Sequence, residues 1–507
     1  KEIRGMWMNA REEALKITMS VLFDGCFLND ALKKVSVNEH TAFVTRLSKM
    51  TVERSITLDF AIEKASNIKL DKLDRLILGI LRISVCQLLY FDIRPAAVCD
   101  EAVKLSSKVN HGAYTGYVNA VLRNISERAG QNKNYIAELT RSLPAEKRMS
   151  INYSMPQWIV SLFIKEYDEK TAARIFKQFL AEKPLCVRFS EKNYRLYKEK
   201  ASEKEYEPSE EKASEKDGAL ENELIEEYIL ELKEKGISAR KGNYAPCALY
   251  LEGYSSVNEI PGFDEGVFIV QDESSQVAVY TAAKVFESMQ VNAAGKASEN
   301  EGKAVNALDM CACPGGKTVY LAELLEKMVK EGKASRNKVK ISARDLYEEK
   351  LAVLKENCSR MKVDCVQAKK QDGTVYVPSD EGAYDIIIAD LPCSGFGVIG
   401  KKPDIKLRVK EEDIRELSLL QRKILDNAVR YLKKGGVLIY STCTLTSLED
   451  ERNAEYISNS LKLNKTDLRT VLPEYLKDAR GAEDGHIRLD PDKNRTDGFF
   501  ISAFIKP

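Results

Sequence analysis

Two cysteines stand at matching places in two predicted strands of one sheet. Cys393 follows Ile388-Ala389-Asp390-Leu391-Pro392, and Cys443 follows Ile439-Tyr440-Ser441-Thr442. Thiols delivered at neighbouring strand ends suit covalent chemistry in which one sulfur attacks an electrophilic carbon and the other helps to expel the product. Taken singly, each would more often be a small buried hydrophobe. The pair gains meaning from Asp390, three residues before Cys393, and from a glycine-rich turn elsewhere in the same predicted sheet.

That turn lies in Ala307-Leu308-Asp309-Met310-Cys311-Ala312-Cys313-Pro314-Gly315-Gly316-Lys317-Thr318, which reads as a strand, a tight turn and a helix start. Small residues let the backbone approach a ligand, and a helix N-terminus offers free amides. Lys317-Thr318 imitates the end of a phosphate-binding loop, but that motif requires glycine where Cys311 stands, which disfavours a nucleotide triphosphatase. Cys311, Ala312, Cys313, Pro314, Gly315, Gly316 and Lys317 are therefore candidate cofactor contacts. Asp345, at the end of the second predicted strand, occupies the place from which an acidic residue takes ribose hydroxyls in doubly wound sheets. It lies beyond the usual spacing of about 20 residues, and a polar insert after Met328 accounts for the excess. Asp372 follows the third strand and Asp390 ends the fourth, so carboxylates form a rim along one sheet edge.

The elements that must hold these residues are legible as changes of rhythm. Residues 9–128 show helical periodicity with little interruption, as in Leu73, Leu76, Ile77, Ile80 and Leu81. Residues 129–256 mix a long helix, Pro156 to Leu180, with strand-like pieces such as Leu185 to Phe189. A tract of Lys, Glu and Ser near 197–218 reads as a solvated or disordered insertion, with lesser polar inserts at Asn292–Lys303 and Lys330–Lys338. Residues 257–507 alternate short apolar strands with helices, the pattern of a parallel sheet with crossover helices. The strands predicted are Val305–Asp309, Val339–Arg344, Asp364–Ala368, Tyr384–Ala389, Gly436–Tyr440 and Phe499–Ile505, with helices at Tyr347–Met361 and Glu411–Leu432.

Bulk properties narrow the partners. At 507 residues, two or three domains are expected. The 78 basic and 77 acidic side chains nearly cancel, so any nucleic-acid surface must be local. Eleven cysteines without regular spacing, three distant histidines and no apolar run of membrane length point to reduced thiols in the cytoplasm and to no metal site. One local cluster is basic: Lys401, Lys402, Lys406, Arg408 and Lys410 surround the single acid Asp404 directly after the Cys393 loop, where they could neutralise phosphates. Without that adjacency a solvated loop would be the better reading.

A thiolate adding to carbon-6 of a pyrimidine makes carbon-5 electron-rich enough to accept a methyl group, a reaction that needs a nucleophile, a nearby acid and a base for elimination. Asp390 to Gly395, Ser441 to Thr444 and Cys311 to Thr318 together resemble the motifs of RNA (cytosine carbon-5) methyltransferases that use S-adenosylmethionine. Val270-Gln271-Asp272-Glu273-Ser274-Ser275-Gln276, the run Gly397 to Lys406 and Asp497-Gly498-Phe499-Phe500 are similar to the RsmB/Sun-type branch acting on 16S rRNA. Arg75 to Arg82 and Gly116 to Asn124 resemble the NusB-like RNA-binding domain of that branch. The resemblance implies an all-α NusB-like domain over 1–128, a small α+β RNA-binding-type domain over 129–256 and a Rossmann-like class I methyltransferase over 257–507. It implies Cys443 as the nucleophile, Cys393 as the release thiol, and Asp390 as the acid at the cytosine ring nitrogen. S-adenosylmethionine would be held by Cys311 to Lys317 with Asp345, Asp372 and Asp390. The substrate implied is 16S rRNA, at cytosine 967 by family analogy, and the protein a cytoplasmic monomer. Cys313, Met310 and Leu391 depart from the commoner family residues, and simple packing beneath the loop accounts for the two extra thiols. The rival readings are a non-catalytic RNA-binding or antitermination protein, and a methyltransferase acting on another RNA or on protein.

Overall fold

A computed structural model describes residues 10–35, 40–132, 134–202, 217–293, 304–333 and 338–507. Most of the charged insertion near 197–218, and much of the polar inserts at 292–303 and 330–338, lies outside the described residues. The ends of the charged tract are helical, in Glu191–Ser202 and Asp217–Glu234. The chain divides into two compact units, one made of residues 1–181 with 398–411 and the other of 182–397 with 412–507.

The first unit is helical. The periodicity of residues 9–128 resolves into helices Ala10–Leu22, Leu28–Leu32, Thr41–Glu53, Ser55–Ala65, Arg75–Tyr90, Pro95–Ser107 and Thr115–Gln131. Asp74 starts the most buried of them by accepting the Leu76 and Ile77 amides, while Ile77, Ile80, Leu81 and Ile83 fill the core. Gly79 permits a close crossing with Ala10–Leu22, since a Cβ there would lie 2.5 Å from Met19 Sδ. Arg82 makes a two-pronged pair with Asp59 at 2.7 and 2.8 Å. The long helix expected from Pro156 to Leu180 is two helices, Gln157–Glu166 and Glu169–Phe179. Asp168 turns extended between them, and its carboxylate caps the second by accepting the Thr171 amide. These helices belong with the first unit, joined by hydrogen bonds from Thr57 Oγ1 to the Ile151 carbonyl (2.5 Å) and from the Ile56 amide to Ser154 Oγ (3.1 Å).

Residues 398–411 fold into this unit, and two of the five basic residues expected to meet phosphates, Lys406 and Arg408, are taken up by its own carbonyls, while Lys402 and Lys410 stay exposed. Lys406 is buried and donates to the Glu53 carbonyl at 2.7 Å. Arg408 donates to the carbonyls of Gly25 and Cys26 and lies over the Phe27 ring. Asp404 accepts from the Leu28 amide and from Arg408, both at 3.2 Å. Burial depresses the Lys406 ammonium to about 7, with the Glu53 carboxylate opposing that shift.

The second unit contains two sheets. Strands β1 (Leu185–Phe189), β2 (Ser238–Lys241), β3 (Ala248–Glu252) and β4 (Phe268–Val270) form an antiparallel sheet in the order β2-β3-β1-β4. Val187, Phe189, Tyr194, Tyr228 and Leu249 make its core. The larger sheet comprises β5 (Ala304–Asp309), β6 (Lys338–Asp345), β7 (Val366–Lys370), β8 (Tyr384–Asp390), β9 (Leu432–Thr442), β10 (Asn464–Lys465), β11 (His486–Leu489) and β12 (Phe499–Ile505). Its order is β7-β6-β5-β8-β9-β12, with β10 and β11 both pairing with β12. Strands β5 to β9 are parallel, but β12 runs antiparallel to β9, so the sheet is mixed and not wholly parallel as anticipated. An apolar strand buried on both faces reads alike in either direction. Among the described residues no helix is long and apolar enough to cross a membrane.

The two sheets are tied by the Gln271 to Gln276 segment. Glu273, fully buried, accepts from the Tyr244 and Ala245 amides and the Tyr250 hydroxyl. Gln276 reaches the Val187 carbonyl, and Arg188 on β1 reaches Gln271 at 3.0 Å, pairs with Glu323 and lies over Tyr320 of the helix Gly316–Lys330.

The Lys406 environment predicts a specific pH dependence. Its folded pKa of about 7 lies below its unfolded value, so the unfolded chain binds more protons between that point and the ordinary lysine range, and stability rises with pH there. The unfolding free energy of wild type should therefore climb relative to that of Lys406→Met as pH is raised from neutral towards 10, by up to about 1.4 kcal/mol per pH unit, as read from denaturant melts. Parallel curves for the two proteins would contradict this account.

Candidate active site

The sheet order places β5 beside β8, where the crossovers change direction, and ligands of open α/β sheets bind at the carboxyl ends of strands at such a point. Register does the rest. Asp390 on β8 pairs across from Ser441 on β9, and the Ser441 hydroxyl donates to Asp390 Oδ1 at 2.8 Å. From that rung each strand runs into its cysteine turn, and the two sulfurs come within 3.3 Å. Both thiols are half-buried.

Lys317, in the first turn of the helix after the glycine loop, reaches across to Asp390 Oδ2 at 2.6 Å and lies over the Phe499 ring at 5.4 Å. Burial alone would depress this ammonium, yet the Asp390 and Asp309 carboxylates and the Cys443 sulfur hold it above the ordinary lysine range. The Cys393 thiol is pushed well up, first by its hydrogen bond with Cys443, then by burial and by the negative potential of Cys443, Glu449 and Asp390. Cys393 is thus held protonated beside the other sulfur.

The turns that carry the sulfurs are fastened together. The Gly397 amide donates to the Cys443 carbonyl at 3.0 Å, and the Gly498 amide to the Gly397 carbonyl at 2.9 Å. Neither glycine has room for a side chain, because a Cβ on Gly397 would strike the Gly498 backbone. Asp450, wholly buried, accepts from Thr442 Oγ1 at 2.6 Å and from Arg488 at 3.0 Å.

The predicted cofactor residues line the neighbouring part of the same edge. Gly315 turns at φ 105° and starts the helix Gly316–Lys330, its amide held by the Ala312 carbonyl at 2.8 Å. The Ala312 amide in turn donates to the Arg344 carbonyl at 2.8 Å, which lays the loop along the end of β6. Pro314 is exposed, and its carbonyl accepts from Asn357. Cys311 and Cys313 are half-buried against the two sheet cores, and burial raises both thiols, that of Cys313 to about 12 with Asp345 adding to the effect. Asp345 accepts the Tyr347 amide at 3.1 Å with Oδ1. Asp372 is engaged in a local turn, accepting the amide and hydroxyl of Thr374, and no contact of its side chain joins it to the other carboxylates of the rim. Among the described residues no group of three or more His, Cys, Asp or Glu converges as a metal site.

The residue sequence reading passed over is Asp309, at the end of β5. It is buried, its Oδ2 accepts from Thr318 Oγ1 at 2.7 Å, and its Oδ1 finds no donor at hydrogen-bonding geometry. Burial lifts this carboxyl to about 6. A buried acceptor without a donor, beneath a glycine turn and a helix N-terminus, fits a ligand that brings amine or hydroxyl donors, as S-adenosylmethionine does. Its position in the strand-end series Asp309, Asp345, Asp390 was the available signal.

Comparison with known proteins bears on the family and the fold. Residues 297–505 match the family model described as 16S rRNA methyltransferase RsmB/F, and residues 8–127 match that of the NusB family. A Bacillus subtilis protein named probable ribosomal RNA small subunit methyltransferase B is 27% identical over 503 residues, covering 98% of each chain. One from Photorhabdus laumondii subsp. laumondii, named ribosomal RNA small subunit methyltransferase B, is 27% identical over 502 residues, covering 98% of this chain and 99% of its own. Among solved structures, the crystal structure of PH0851 shares the fold with a TM-score of 0.68 at 24% identity, covering 99% of this chain and 100% of that one.

The thiol pair makes a prediction that needs no substrate. Because the hydrogen bond with Cys443 is the leading cause of the raised Cys393 thiol, Cys443→Ala, which removes that partner, should accelerate alkylation of Cys393 at neutral pH several-fold, read by mass spectrometry of the peptide. An unchanged rate would mean that Cys443 does not control Cys393.

Proposed function

For a chain whose residues 297–505 belong to the RsmB/F family of 16S rRNA methyltransferases and whose residues 8–127 belong to the NusB family, we propose methylation of carbon-5 of a cytosine in 16S rRNA, through a cysteine adduct at carbon-6. The observation that carries this reading is the 3.3 Å approach of Cys393 and Cys443 beside the Lys317 and Asp390 pair. S-adenosylmethionine is the cofactor, and when bound it supplies an electrophilic methyl group. Asp309, Asp345 and the Cys311 to Lys317 loop are the residues that would hold it, with Asp372 at the outer end of the rim.

Cys443 is the attacking nucleophile in this reading. Its sulfur bonds to carbon-6, and the displaced electron pair makes carbon-5 nucleophilic while the ring nitrogen takes up a proton. Asp390, already an acceptor for Lys317 and Ser441, is placed to hydrogen-bond that protonated nitrogen. Once carbon-5 carries the methyl group, its proton must leave. Attack has by then turned the Cys443 sulfur into an uncharged thioether, which removes the first cause of the raised Cys393 thiol. Cys393 can then ionise, its proton passing to solvent, and take the proton from carbon-5. The carbon–hydrogen pair forms the ring double bond, the carbon–sulfur bond breaks, the ring nitrogen returns its proton to solvent, and Cys443 recovers its thiolate. Cys393 ionisation is hardest before attack and less hard once its neighbour carries no charge, which orders the two steps.

The helical unit is the proposed rRNA grip, as its NusB-family match suggests. A target base would have to leave its stack to reach sulfurs set between two strand ends, which unpaired RNA permits more readily.

The test is transfer of labelled methyl from S-adenosylmethionine to small-subunit RNA. Cys443→Ala should abolish both transfer and covalent adduct, whereas Cys393→Ala should leave protein trapped on RNA as a complex that survives denaturing gels. A trapped complex with Cys443→Ala would reverse the two roles, and folded, cofactor-binding wild type that transfers no label to RNA would refute the enzymatic reading.

A further inference from the structure

Beneath the two cysteine turns lies a carboxylate that the chemistry above does not use. Glu449 is completely buried. Its Oε1 accepts from the Ser394 amide at 2.9 Å and from Gln421 Nε2 at 3.1 Å, and its Oε2 from the Ser394 hydroxyl at 2.5 Å and from Thr446 Oγ1 at 2.9 Å. Ser394 directly follows Cys393, and its hydroxyl is 2.6 Å from that of Thr444, which directly follows Cys443. The Ser394 hydroxyl has one proton, given to Glu449, so it accepts from Thr444, and the chain of bonds runs from the Cys443 turn through the Cys393 turn to the carboxylate. The same Gln421 amide that binds Glu449 also donates to the Pro392 carbonyl at 2.8 Å, on the other side of Cys393. The Gln421 oxygen is in turn held by Asn453 at 2.7 Å and Tyr440 at 3.1 Å.

Stability gives little reason for a charge here, since a buried, paired carboxylate can usually be replaced by apolar groups of similar volume at no loss. What four converging donors give instead is a fixed geometry, provided the carboxylate stays ionised and accepts all of them. The Ser394 amide and hydroxyl and the Thr446 hydroxyl each lie within three residues of a cysteine, and Gln421 also holds the Pro392 carbonyl beside Cys393.

We propose that Glu449 is the positioning residue of the thiol pair, clamping the Cys393 turn to the Cys443 turn so that proton removal by Cys393 keeps pace with attack by Cys443. This rests on the cysteine-adduct reading. A glutamine at 449 keeps one acceptor oxygen for two pairs of donors, so either the Ser394 amide and Gln421 or the Ser394 and Thr446 hydroxyls lose the acceptor they share, loosening the Cys393 turn while conserving size.

The experiment uses full-length protein, small-subunit RNA and labelled S-adenosylmethionine, with wild type, Cys393→Ala and Glu449→Gln compared under single turnover. For Glu449→Gln, the KM values for RNA and cofactor should stay within about 2-fold, transfer should slow by about 10- to 100-fold, and denaturation-resistant complex should accumulate towards the level of Cys393→Ala. A merely structural role would depress adduct and transfer together. Unchanged transfer, or slowed transfer without accumulated complex, would overturn the proposal. Should Glu449→Gln fail to fold by circular dichroism, Ser394→Ala, which cuts the hydroxyl chain but keeps the backbone bond, must show the same accumulation to a lesser degree, and its absence counts equally against the clamp. If Cys393→Ala itself traps no RNA, the cysteine-adduct reading fails; if Cys393→Ala traps RNA and the clamp variants do not, only the clamp fails.

Discussion

The parallel pairing of β8 with β9 is the constraint on which the site rests. Ile386, Ile387, Ile388 and Ala389 on one strand and Val437, Leu438, Ile439 and Tyr440 on the other are buried on both faces, so the register is set by core packing and not by the polar residues at its end. A one-residue slip would exchange the faces of every one of these side chains. It would also part Asp390 from Ser441 and carry the two cysteine turns out of step. Reactive geometry at the rim is therefore a by-product of apolar fit several residues inside the sheet.

Electrostatics then distinguish chemically identical groups. Lys317 and Asp390 neutralise each other at the rim, while Asp309, buried without a cation in contact, is left partly uncompensated where a ligand can meet it. Cys393 and Cys443 differ only in their surroundings, and in the proposed reaction those surroundings change when the adduct forms. A thiol whose acidity depends on its neighbour's charge acquires its role from the order of events.

Much of this was legible in the sequence because strand ends announce themselves: apolar runs stop at Asp309, Asp390 and Thr442, the alternating strand between them ends at Asp345, and the turns entered there must lie at one edge. β12 was found with its full extent, but its direction was hidden, since Phe499 to Ile505 is apolar almost throughout. Arg188, Glu273 and Glu449 were not singled out, because their partners lie tens to more than a hundred residues away and a lone charge carries no sign of burial. Lys406 and Arg408 mislead for the same reason: counted as charges they suggest phosphate contact, yet desolvation and carbonyl partners have already claimed them. Asp168, by contrast, offered a readable cap, with Thr171 three residues on, inside what was taken as one helix.

The helical unit is assembled from two separate stretches of chain, since residues 398–411 complete it. It is consequently not a portable module. A gene that lost the coding region for residues 1–181 would leave behind a segment whose lysine, aspartate and arginine had evolved to satisfy the Glu53 and Cys26 carbonyls and the Leu28 amide, and would expose it directly downstream of the Pro392-Cys393 turn. Shuffling of the NusB-type domain between enzymes of this architecture would have to exchange both stretches together, so inheritance should keep them coupled even where the rest of the chain diverges.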